Sequence, residues 1–472
     1  MVQVRARPAT FHFRPRVEPL GPAADGLALG ELAARLGRGP LAWLEGWPRG
    51  AGVLAFAPLP VRAPRSLAGL RALAARLEPQ AGDAVPGAFH GGFLGALAYE
   101  LGARAELGLA LPRDPWGLPP LVGGLYVDFL VRDAHGATFL VLGEQPGDGR
   151  PPLAARARAI RARLARPAPP TSCRPAGPFV RLVASAEHAR RVARARAWIA
   201  EGEIYQANLS LRFERDVQGD PLALQRRLLA LHPAPHAAFL RFGRGALLSA
   251  SPELLLDFGR DGEGLLARTR PIKGTAARAA DPAADRARAA ALLASEKDRS
   301  ELAMIVDLER NDLGRTARPG SVRVEGLARL ESYASVHHLV ADVLARPRPG
   351  IDALACLAAL FPGGSVTGAP KLRSMEAIAD LEGEGRGFAY GSILALDTRG
   401  ELVASLLIRT LLWRPRPERG RGAGQVTFRV GGGITWGSEP AAEEAEAEAK
   451  GLLLARALDG PAPEETPGRA GP

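Results

Sequence analysis

The sequence predicts a mixed α/β protein with a large hydrophobic core. Helix-like and strand-like segments alternate: a helical stretch at 27–36, closed by Gly37, precedes an apolar strand at 41–44. Strand-like stretches near 125–131 and 138–142 flank a turn and predict a hairpin. With 472 residues, 47% of them hydrophobic and 24% charged, the chain can form one large α/β unit or two to three domains.

A Pro-rich stretch at 166–178 is the predicted linker that divides the chain. The region before it, 1–165, has mixed α/β character. The region after it, 179–458, carries most of the chemical motifs and is the predicted catalytic domain. The last residues, 459–472, are rich in Pro and Gly and predict a flexible tail.

Composition narrows the class of protein. The net charge is +11, which in principle suggests nucleic acid, but aromatic residues make up only 6% and no nucleic-acid-binding signature is present. A basic surface equally suits an anionic small molecule, so we expect no nucleic-acid partner. The two cysteines, Cys173 and Cys356, exclude a disulfide framework and a Cys-based zinc site. Without an apolar leader or a long apolar run, we expect a cytoplasmic protein that does not cross a membrane.

Lysine is rare in this chain, which draws attention to Lys273. Only four of the 61 Lys and Arg residues are Lys. Arg cannot lose its proton to act as a nucleophile or base, whereas Lys can when burial or nearby positive charge lowers its pKa. Lys273 follows the strand-like 265–267 and lies between Pro271 and Gly274. This pattern predicts a sharp turn after the strand, and an exposed turn lysine is the alternative to a reactive one.

Acidic residues form three candidate groups. Glu253 stands beside an apolar run, where a partly buried carboxyl group with a raised pKa would be a general acid, the alternative being a surface carboxylate. Asp298 and Glu301 are three residues apart and share a helix face. Spacings of three and four residues place a second group on one face of another helix: Glu443, Glu446 and Lys450. Two acidic pairs on two helices can hold Mg²⁺, although solvated helix faces have the same composition.

Three loop-like motifs lie between these helices: the His337 and His338 pair, a Gly/Pro-rich stretch at 361–371, and the glycines at 431–433. A Gly-rich loop before a helix can bind an anion through backbone N–H groups. A lone pair of histidines is more often structural than metal-binding. Arg409 is predicted inside a strand, where an inward-pointing Arg needs an anionic partner.

Ordered blocks between about 180 and 457 resemble the chorismate-utilising enzymes. The blocks are 204–210, 251–253, 270–275, 304–314, 336–339, 361–371 and 432–434, followed by the acidic run that ends at Lys450. The first part of the chain is similar more weakly, mainly through 91–100. The resemblance implies that family's α/β fold, in which two large antiparallel sheets pack together with helices outside.

Two positions discriminate among members of this family. Members that form isochorismate or salicylate carry a Lys where this chain has Gln206, and members that form anthranilate usually have Ala where it has Lys273. The stretch 271–275, with Asn208 upstream, is similar to the aminodeoxychorismate-forming members. The implied reaction converts chorismate and ammonia into 4-amino-4-deoxychorismate for 4-aminobenzoate and folate synthesis. Anthranilate formation is the alternative.

The resemblance also implies residue roles. Lys273 would attack C2 of chorismate while Glu253 protonates the departing C4 hydroxyl. Glu301 and Glu446 would hold Mg²⁺, and Asp298 and Glu443 would contact its water shell. The remaining implied residues face the substrate carboxylates or line the pocket: Arg409 and Lys450, then Gly274, Thr275, His338 and Gly432. No cysteine has the context of a glutaminase nucleophile, so a separate glutaminase subunit is the expected source of ammonia.

The chain departs from the family pattern at several positions. The family motif Arg-Gly-x-Tyr-x-Gly has Ala389 at the tyrosine place and Tyr390 one residue later, and Ala447 replaces a Thr beside a metal-binding Glu. The stretch 232–236 reads His-Pro-Ala-Pro-His where the family has Asn-Pro-x-Pro-Tyr. These departures keep open a further alternative, a catalytically inactive member that acts as a scaffold or chorismate sensor.

Overall fold

The structure is a computed structural model that describes residues 10–47, 50–87, 89–106, 108–144, 149–243, 245–334 and 336–459. Helices in these ranges are α1 (Pro22–Asp25), α2 (Leu29–Leu36), α3 (Leu67–Ala74), α4 (Tyr99–Glu106), α5 (Leu153–Leu164), α6 (Ser185–Ala200), α7 (Pro221–Leu231), α8 (Pro282–Ala294), α9 (Glu296–Gly314), α10 (Ala353–Leu360), α11 (Lys371–Glu382) and α12 (Pro440–Asp459), with 3₁₀ turns at Gly364–Val366 and Pro417–Arg419.

The strands, in chain order, are β1 (Phe11–Pro19), β2 (Leu41–Glu45), β3 (Gly52–Phe56), β4 (Leu77–Pro79), β5 (Gly92–Leu97), β6 (Leu121–Tyr126), β7 (Asp128–Arg132), β8 (Thr138–Glu144), β9 (Cys173–Pro175), β10 (Val180–Arg181), β11 (Gln206–Gly219), β12 (His236–Phe242), β13 (Gly245–Ser251), β14 (Leu254–Asp261), β15 (Gly264–Arg270), β16 (Ile272–Ala277), β17 (Arg323–Ser332), β18 (Val336–Ala345), β19 (Gly368–Ala369), β20 (Ser392–Asp397), β21 (Leu402–Leu406), β22 (Thr410–Pro415) and β23 (Ala423–Ile434).

These strands form two large sheets. Sheet I has 14 strands, in the order β10-β11-β23-β22-β13-β12-β2-β3-β7-β8-β1-β4, with β9 and β19 also paired to β11. Sheet II has nine strands, in the order β16-β18-β15-β14-β21-β20-β5-β6, with β17 also paired to β18. Neighbouring strands are antiparallel apart from the parallel pair β1 and β4.

Three large apolar clusters show how the layers pack. The middle cluster joins β2 and β3 of sheet I to β5, β20 and β21 of sheet II, so the two sheets face each other. A second cluster covers the outer face of sheet I with α2, α5, α7 and α12. A third covers the outer face of sheet II with α3, α9 and α10. The expected sandwich of two packed sheets with helices outside is confirmed.

Strands from both predicted regions of the chain lie in the same sheets. In sheet I, β2 pairs with β12, and in sheet II, β5 pairs with β20. The predicted linker also contributes β9, which pairs with β11. The Pro-rich stretch at 166–178 is therefore a boundary in composition. The regions before and after it contribute strands to the same two sheets and share one core. The predicted tail lies outside the described residues except for Asp459, which ends α12.

Local predictions met mixed outcomes. The hairpin of β7 and β8 is confirmed, and Asp281 caps α8, with Pro282 as its first residue. Ser185 is the first residue of α6, and Ala184 is its N-cap. The glycines at 431–433 belong to β23 and pair with β11, so they do not form a loop. None of the helices in the described ranges is both long and apolar enough to cross a membrane.

Candidate active site

Lys273 lies on a strand, and the predicted sharp turn is wrong. β15 and β16 both pair with β18, so the chain continues along the same neighbour after Pro271. The register shifts between Lys273 and Thr275, where Gly274 has a φ of 75° that favours glycine. This bulge lets β16 bend over α9 without reversing the chain.

The side chain of Lys273 is mostly enclosed. It is 14% exposed, and its Nζ lies 4.0 Å from Oε2 of Glu301. Burial lowers the pKa of Lys273, and the positive charge of Lys450 lowers it further, while the carboxylate of Glu301 opposes both effects. The lysine is therefore placed where a neutral amine is favoured relative to an exposed lysine.

Glu253 lies between β13 and β14 and is 3% exposed. Its backbone N–H donates to Ser251 Oγ at 3.3 Å, and no described group donates to its Oε1. Burial raises the pKa of Glu253 to about 7, against the effects of the Ser365 hydroxyl and the Lys273 charge. The alternative of a surface carboxylate is excluded, and this carboxyl group can hold a proton near neutral pH.

The first acidic pair lies at the start of α9. Ser295 caps this helix, and its hydroxyl donates to Asp298 Oδ2 at 2.5 Å. Asp298 packs against the glycine of the β16 bulge: a Cβ added to Gly274 would lie 3.0 Å from Asp298 Cβ. Glu301, one turn later, is 4.0 Å from Lys297 as well as from Lys273.

The second acidic pair lies on α12 against β23. A Cβ added to Gly432 would be 3.0 Å from Glu443 Oε2 and 3.8 Å from Glu446 Oε1, so both carboxylates project over this glycine. Ser438 Oγ donates to Glu443 Oε1 at 2.6 Å. Lys450 Nζ lies 2.7 Å from Glu446 Oε1 and donates to the Gly431 carbonyl at 2.9 Å.

The two acidic pairs face a common region. Burial raises the pKa of Glu301, and the nearby charges of Asp298 and Glu446 raise it further against the two lysines. Carboxylate oxygens are the donors that Mg²⁺ prefers, and glycines at 274 and 432 leave space beside them, so the donor set fits this ion. Within the described ranges, however, no three His, Cys, Asp or Glu side chains already converge on one point.

The two adjacent histidines have different surroundings. His338 Nδ1 lies 2.9 Å from Thr275 Oγ1 and 3.3 Å from the Gly274 carbonyl oxygen, and Nε2 is buried without a described partner. Burial lowers the pKa of His338 to about 4, so the ring is neutral at neutral pH. His337 instead contacts Ser332 at 2.8 Å and Asp285 at 3.1 Å, which is a structural arrangement. The sequence could not separate these roles.

Arg409 lies outside the strand predicted for it, in the connection between β21 and β22. Its φ is 49°, an unusual conformation for a residue with a side chain. Burial lowers the pKa of Arg409, opposed by the charge of Glu253. No carboxylate in the described ranges forms an ion pair with it. Arg409 is therefore a partly enclosed cation that can receive an anion.

Two residues that depart from the family pattern, Tyr390 and Ala447, are both buried. Tyr390 is 5% exposed with a φ of 62°, and the guanidinium of Arg386 lies 4.8 Å from the centre of its ring. Its hydroxyl has no described hydrogen-bond partner. Ala447 is 1% exposed and packs in the core under α12. Tyr390 is thus held against a buried arginine, and Ala447 faces apolar neighbours.

The sequence did not predict the burial of one acidic residue in this region, Glu309. Glu309 is 2% exposed on α9 and accepts a hydrogen bond from Thr269 Oγ1 at 2.8 Å. It belongs to the block 304–314, but a glutamate within a charged helix is expected to face solvent. Only the packing of α9 on sheet II reveals its burial.

Comparison with known proteins defines the class of protein to which the chain belongs. The family described as chorismate binding enzyme matches residues 59–456, and the chain belongs to this family. Aminodeoxychorismate synthase component 1 of Salmonella typhimurium is 38% identical over 370 residues, covering 78% of this chain and 76% of that protein. Anthranilate synthase component 1 of Streptomyces coelicolor is 37% identical over 393 residues, covering 79% and 74%.

A solved structure agrees with this assignment. Anthranilate synthase component I from Streptococcus pneumoniae TIGR4 matches with a TM-score of 0.71 and 26% identity, over 97% of this chain and 94% of that one. The similarity extends through both sheets and therefore includes the region before the predicted linker.

Proposed function

We propose that this chain is the chorismate-converting component of an aminodeoxychorismate synthase. The observation that carries the proposal is the position of Lys273, an enclosed lysine beside Glu253 and the two acidic pairs. The similarity to aminodeoxychorismate synthase component 1 of Salmonella typhimurium supports the same reaction. Anthranilate formation is the second candidate, since the Streptomyces coelicolor relative is almost as similar.

In the proposed reaction Lys273 is the nucleophile. Its neutral amine forms a bond to C2 of the chorismate ring, the two ring double bonds shift, and the C4–O bond breaks. Glu253 donates its proton to the departing hydroxyl, which leaves as water. Ammonia then adds at C4, the double bonds shift back, and the C2–N bond breaks to release the Lys273 amine. The Glu253 carboxylate takes the surplus proton from the new amino group, which restores both side chains.

Charged groups around the site suit a dianionic substrate. We assign Arg409 and Lys450 to the substrate carboxylates. Gly274, Thr275, His338 and Gly432 line the pocket in this proposal, and the neutral ring of His338 can donate or accept a hydrogen bond. Glu301 and Glu446 would hold Mg²⁺, with Asp298 and Glu443 orienting its water. The ion, when bound, supplies positive charge for the ring carboxylate.

We further propose that ammonia comes from a separate glutaminase subunit. Cys173 and Cys356 are both buried, and burial raises the pKa of each thiol to about 11. Neither is suited to form the thiolate that a glutaminase needs. The words "component 1" in the name of the Salmonella typhimurium relative are consistent with a partner subunit.

Product identity tests the proposal. The purified chain is incubated with chorismate, Mg²⁺ and ammonia at mildly alkaline pH, and the products are separated. A 4-amino product that an added lyase converts to 4-aminobenzoate supports the assignment. Anthranilate would favour the second candidate. Absence of turnover, even with a glutaminase present, would favour an inactive family member.

A further inference from the structure

Two aromatic side chains are unusually open to solvent. Within the described ranges, Tyr205 and Trp436 are the most exposed large hydrophobic residues, at 69% and 66%. Leu372 is also exposed, at 43%. Tyr and Trp are enriched among the residues that contribute most to the binding energy of protein interfaces, and apolar residues that lie together on a surface mark such interfaces.

Strand pairing places these three residues at one end of sheet I. Tyr205 immediately precedes β11, and the start of β11 meets the ends of both β23 and β19, which run antiparallel to it. Trp436 lies two residues after β23, and Leu372 lies three residues after β19. The three residues therefore lie at the same end of three paired strands. We call the surface formed by Tyr205, Leu372 and Trp436 the Tyr205–Trp436 face.

Hydrogen bonds fix the backbone that carries both aromatic residues. The Tyr205 N–H donates to the Ala369 carbonyl at 2.7 Å. The turn that contains Trp436 is closed by Ser438, whose N–H donates to the Thr435 carbonyl at 3.1 Å and whose Oγ accepts from the Thr435 N–H at 3.0 Å. A surface that is held in place before binding loses little conformational entropy when a partner docks.

The Tyr205–Trp436 face adjoins the proposed active site. Ser438 Oγ also donates to Glu443 Oε1 at 2.6 Å, so the turn that carries the exposed tryptophan contacts the second acidic pair. Tyr205 is followed by Gln206, whose Nε2 would lie 2.6 Å from a Cβ added to Gly433. A protein bound to this face therefore lies next to the groups assigned to Mg²⁺ and to the substrate.

Paired charges flank the apolar residues. Arg373 Nε donates to Glu203 Oε2 at 2.9 Å, and Arg196 Nη1 lies 3.4 Å from Glu439 Oε1. These four side chains are between 33% and 69% exposed. An apolar centre with a polar, solvent-accessible rim is the usual arrangement of a protein–protein interface. Arginines that are paired with carboxylates differ from the basic patch that binds nucleic acid or an anionic membrane.

We infer that the Tyr205–Trp436 face is the docking surface for the glutaminase subunit. The inference rests on the proposed function, in which a separate protein supplies the ammonia that adds at C4 of the substrate. In water at neutral pH ammonia is mostly protonated, and ammonium has no lone pair with which to attack carbon. A glutaminase docked beside the site releases neutral ammonia where it is consumed, whereas a second copy of this chain would bring no source of ammonia.

Binding of the purified glutaminase subunit from the same organism tests the surface, with the affinity for the full chain measured by titration calorimetry. We expect Y205A/W436A to weaken binding by at least about 100-fold and L372E by at least about tenfold, because aromatic anchors are lost or a charge enters the apolar centre. Leu231, at the end of α7, is 43% exposed, as is Leu372. L231E is therefore the matched control and should bind like the wild type.

The nitrogen source separates docking from catalysis. With ammonium chloride at mildly alkaline pH, both variants of the face should form product at a rate within about twofold of wild type, since the changed side chains are exposed. With glutamine and a glutaminase concentration that just saturates the wild type, product formation should fall at least about tenfold in both variants and stay unchanged in L231E. Equal losses with both nitrogen sources would show that the substitutions act on the site itself and would contradict a docking role.

Two results would overturn the inference directly. One is an unchanged affinity for the glutaminase in both variants. The other is a dimer of the free chain that L372E dissociates in analytical ultracentrifugation, which would make a second copy the occupant of the face. A wild-type chain that binds no glutaminase would remove the proposed partner together with this surface, whereas binding that survives in the variants would remove only the surface, so the two failures are distinguishable.

Discussion

The Nζ atom of Lys273 and the Oε2 atom of Glu301 lie 4.0 Å apart, joining the bulged strand β16 to helix α9. In the proposed mechanism one of these groups attacks the substrate and the other holds Mg²⁺. Because the two side chains are in contact, a substitution at either residue also alters the surroundings of the other. The role of the nucleophile and the role of the Mg²⁺ ligand must therefore be measured separately. Product formation reports on the lysine, whereas ion affinity reports on the glutamate.

Replacing Lys273 with Ala or Arg should abolish 4-amino-4-deoxychorismate formation. Ala removes the nucleophile, and Arg keeps the charge but cannot release a proton. We expect a loss of at least about 100-fold in kcat, measured by separating the products. Arg310, which is 50% exposed on α9, offers the control, and R310A should stay near wild type. Full activity of K273A would exclude the covalent role.

The substitution E253Q should lower kcat by roughly 10²- to 10⁴-fold, the usual contribution of a positioned acid. A general acid acts in its protonated form, and burial raises the pKa of Glu253 to about 7. Wild-type kcat should therefore fall as pH rises above neutrality, because the Glu253 carboxyl group loses its proton. Rates measured across this range should lose that limb in E253Q. A limb that persists unchanged would assign the titration to another group.

The variants E301Q and E446Q should each weaken Mg²⁺ binding by at least about tenfold, since each removes a charged oxygen donor. Titration calorimetry of the full chain gives the affinity, and thermal unfolding with and without Mg²⁺ gives an independent readout. Glu448 lies on the same helix and is 51% exposed, so E448Q is the control. Equal Mg²⁺ affinity in all three variants would contradict the proposed ligands.

Two glycine substitutions should have different consequences. G274A places a Cβ 2.9 Å from Leu292 Cδ1 at a φ of 75°, which should destabilise the fold by about 1–2 kcal/mol as well as lowering activity. G432A places a Cβ 3.0 Å from Glu443 Oε2, which should mainly weaken Mg²⁺ binding. Gly262 has no atom within 4 Å of an added Cβ, so G262A is the control for both. Denaturant unfolding and Mg²⁺ titration separate the two outcomes, and identical effects of G274A and G432A would contradict this distinction.

The substitution K371M should destabilise the protein by about 3–5 kcal/mol, because it leaves the carboxylate of Asp312 buried without its partner. Burial already raises the pKa of Asp312, and Lys371 opposes that rise. The double variant D312N/K371M should recover part of the loss, as measured by denaturant unfolding. A double variant less stable than K371M would argue against the ion pair as the cause.

Much of the local structure follows from sequence patterns. The hairpin of β7 and β8 was predictable, since turn residues act within a few positions. The family resemblance also indicated the class and the pair of packed sheets. Lysine rarity singled out Lys273, because the chemistry of an amine differs from that of a guanidinium wherever the residue lies.

Tertiary structure alone decided which of these groups come together and how each is solvated. Glu253 and Glu309 are ordinary glutamates in the sequence, and the fold buries both, Glu309 where α9 packs on sheet II. The positive φ of Arg409 and the continuous path of β15 into β16 likewise depend on neighbouring strands from distant parts of the chain. A carboxyl group's pKa is set by the water and charges that surround it, and those surroundings are long-range contacts that local sequence patterns do not contain.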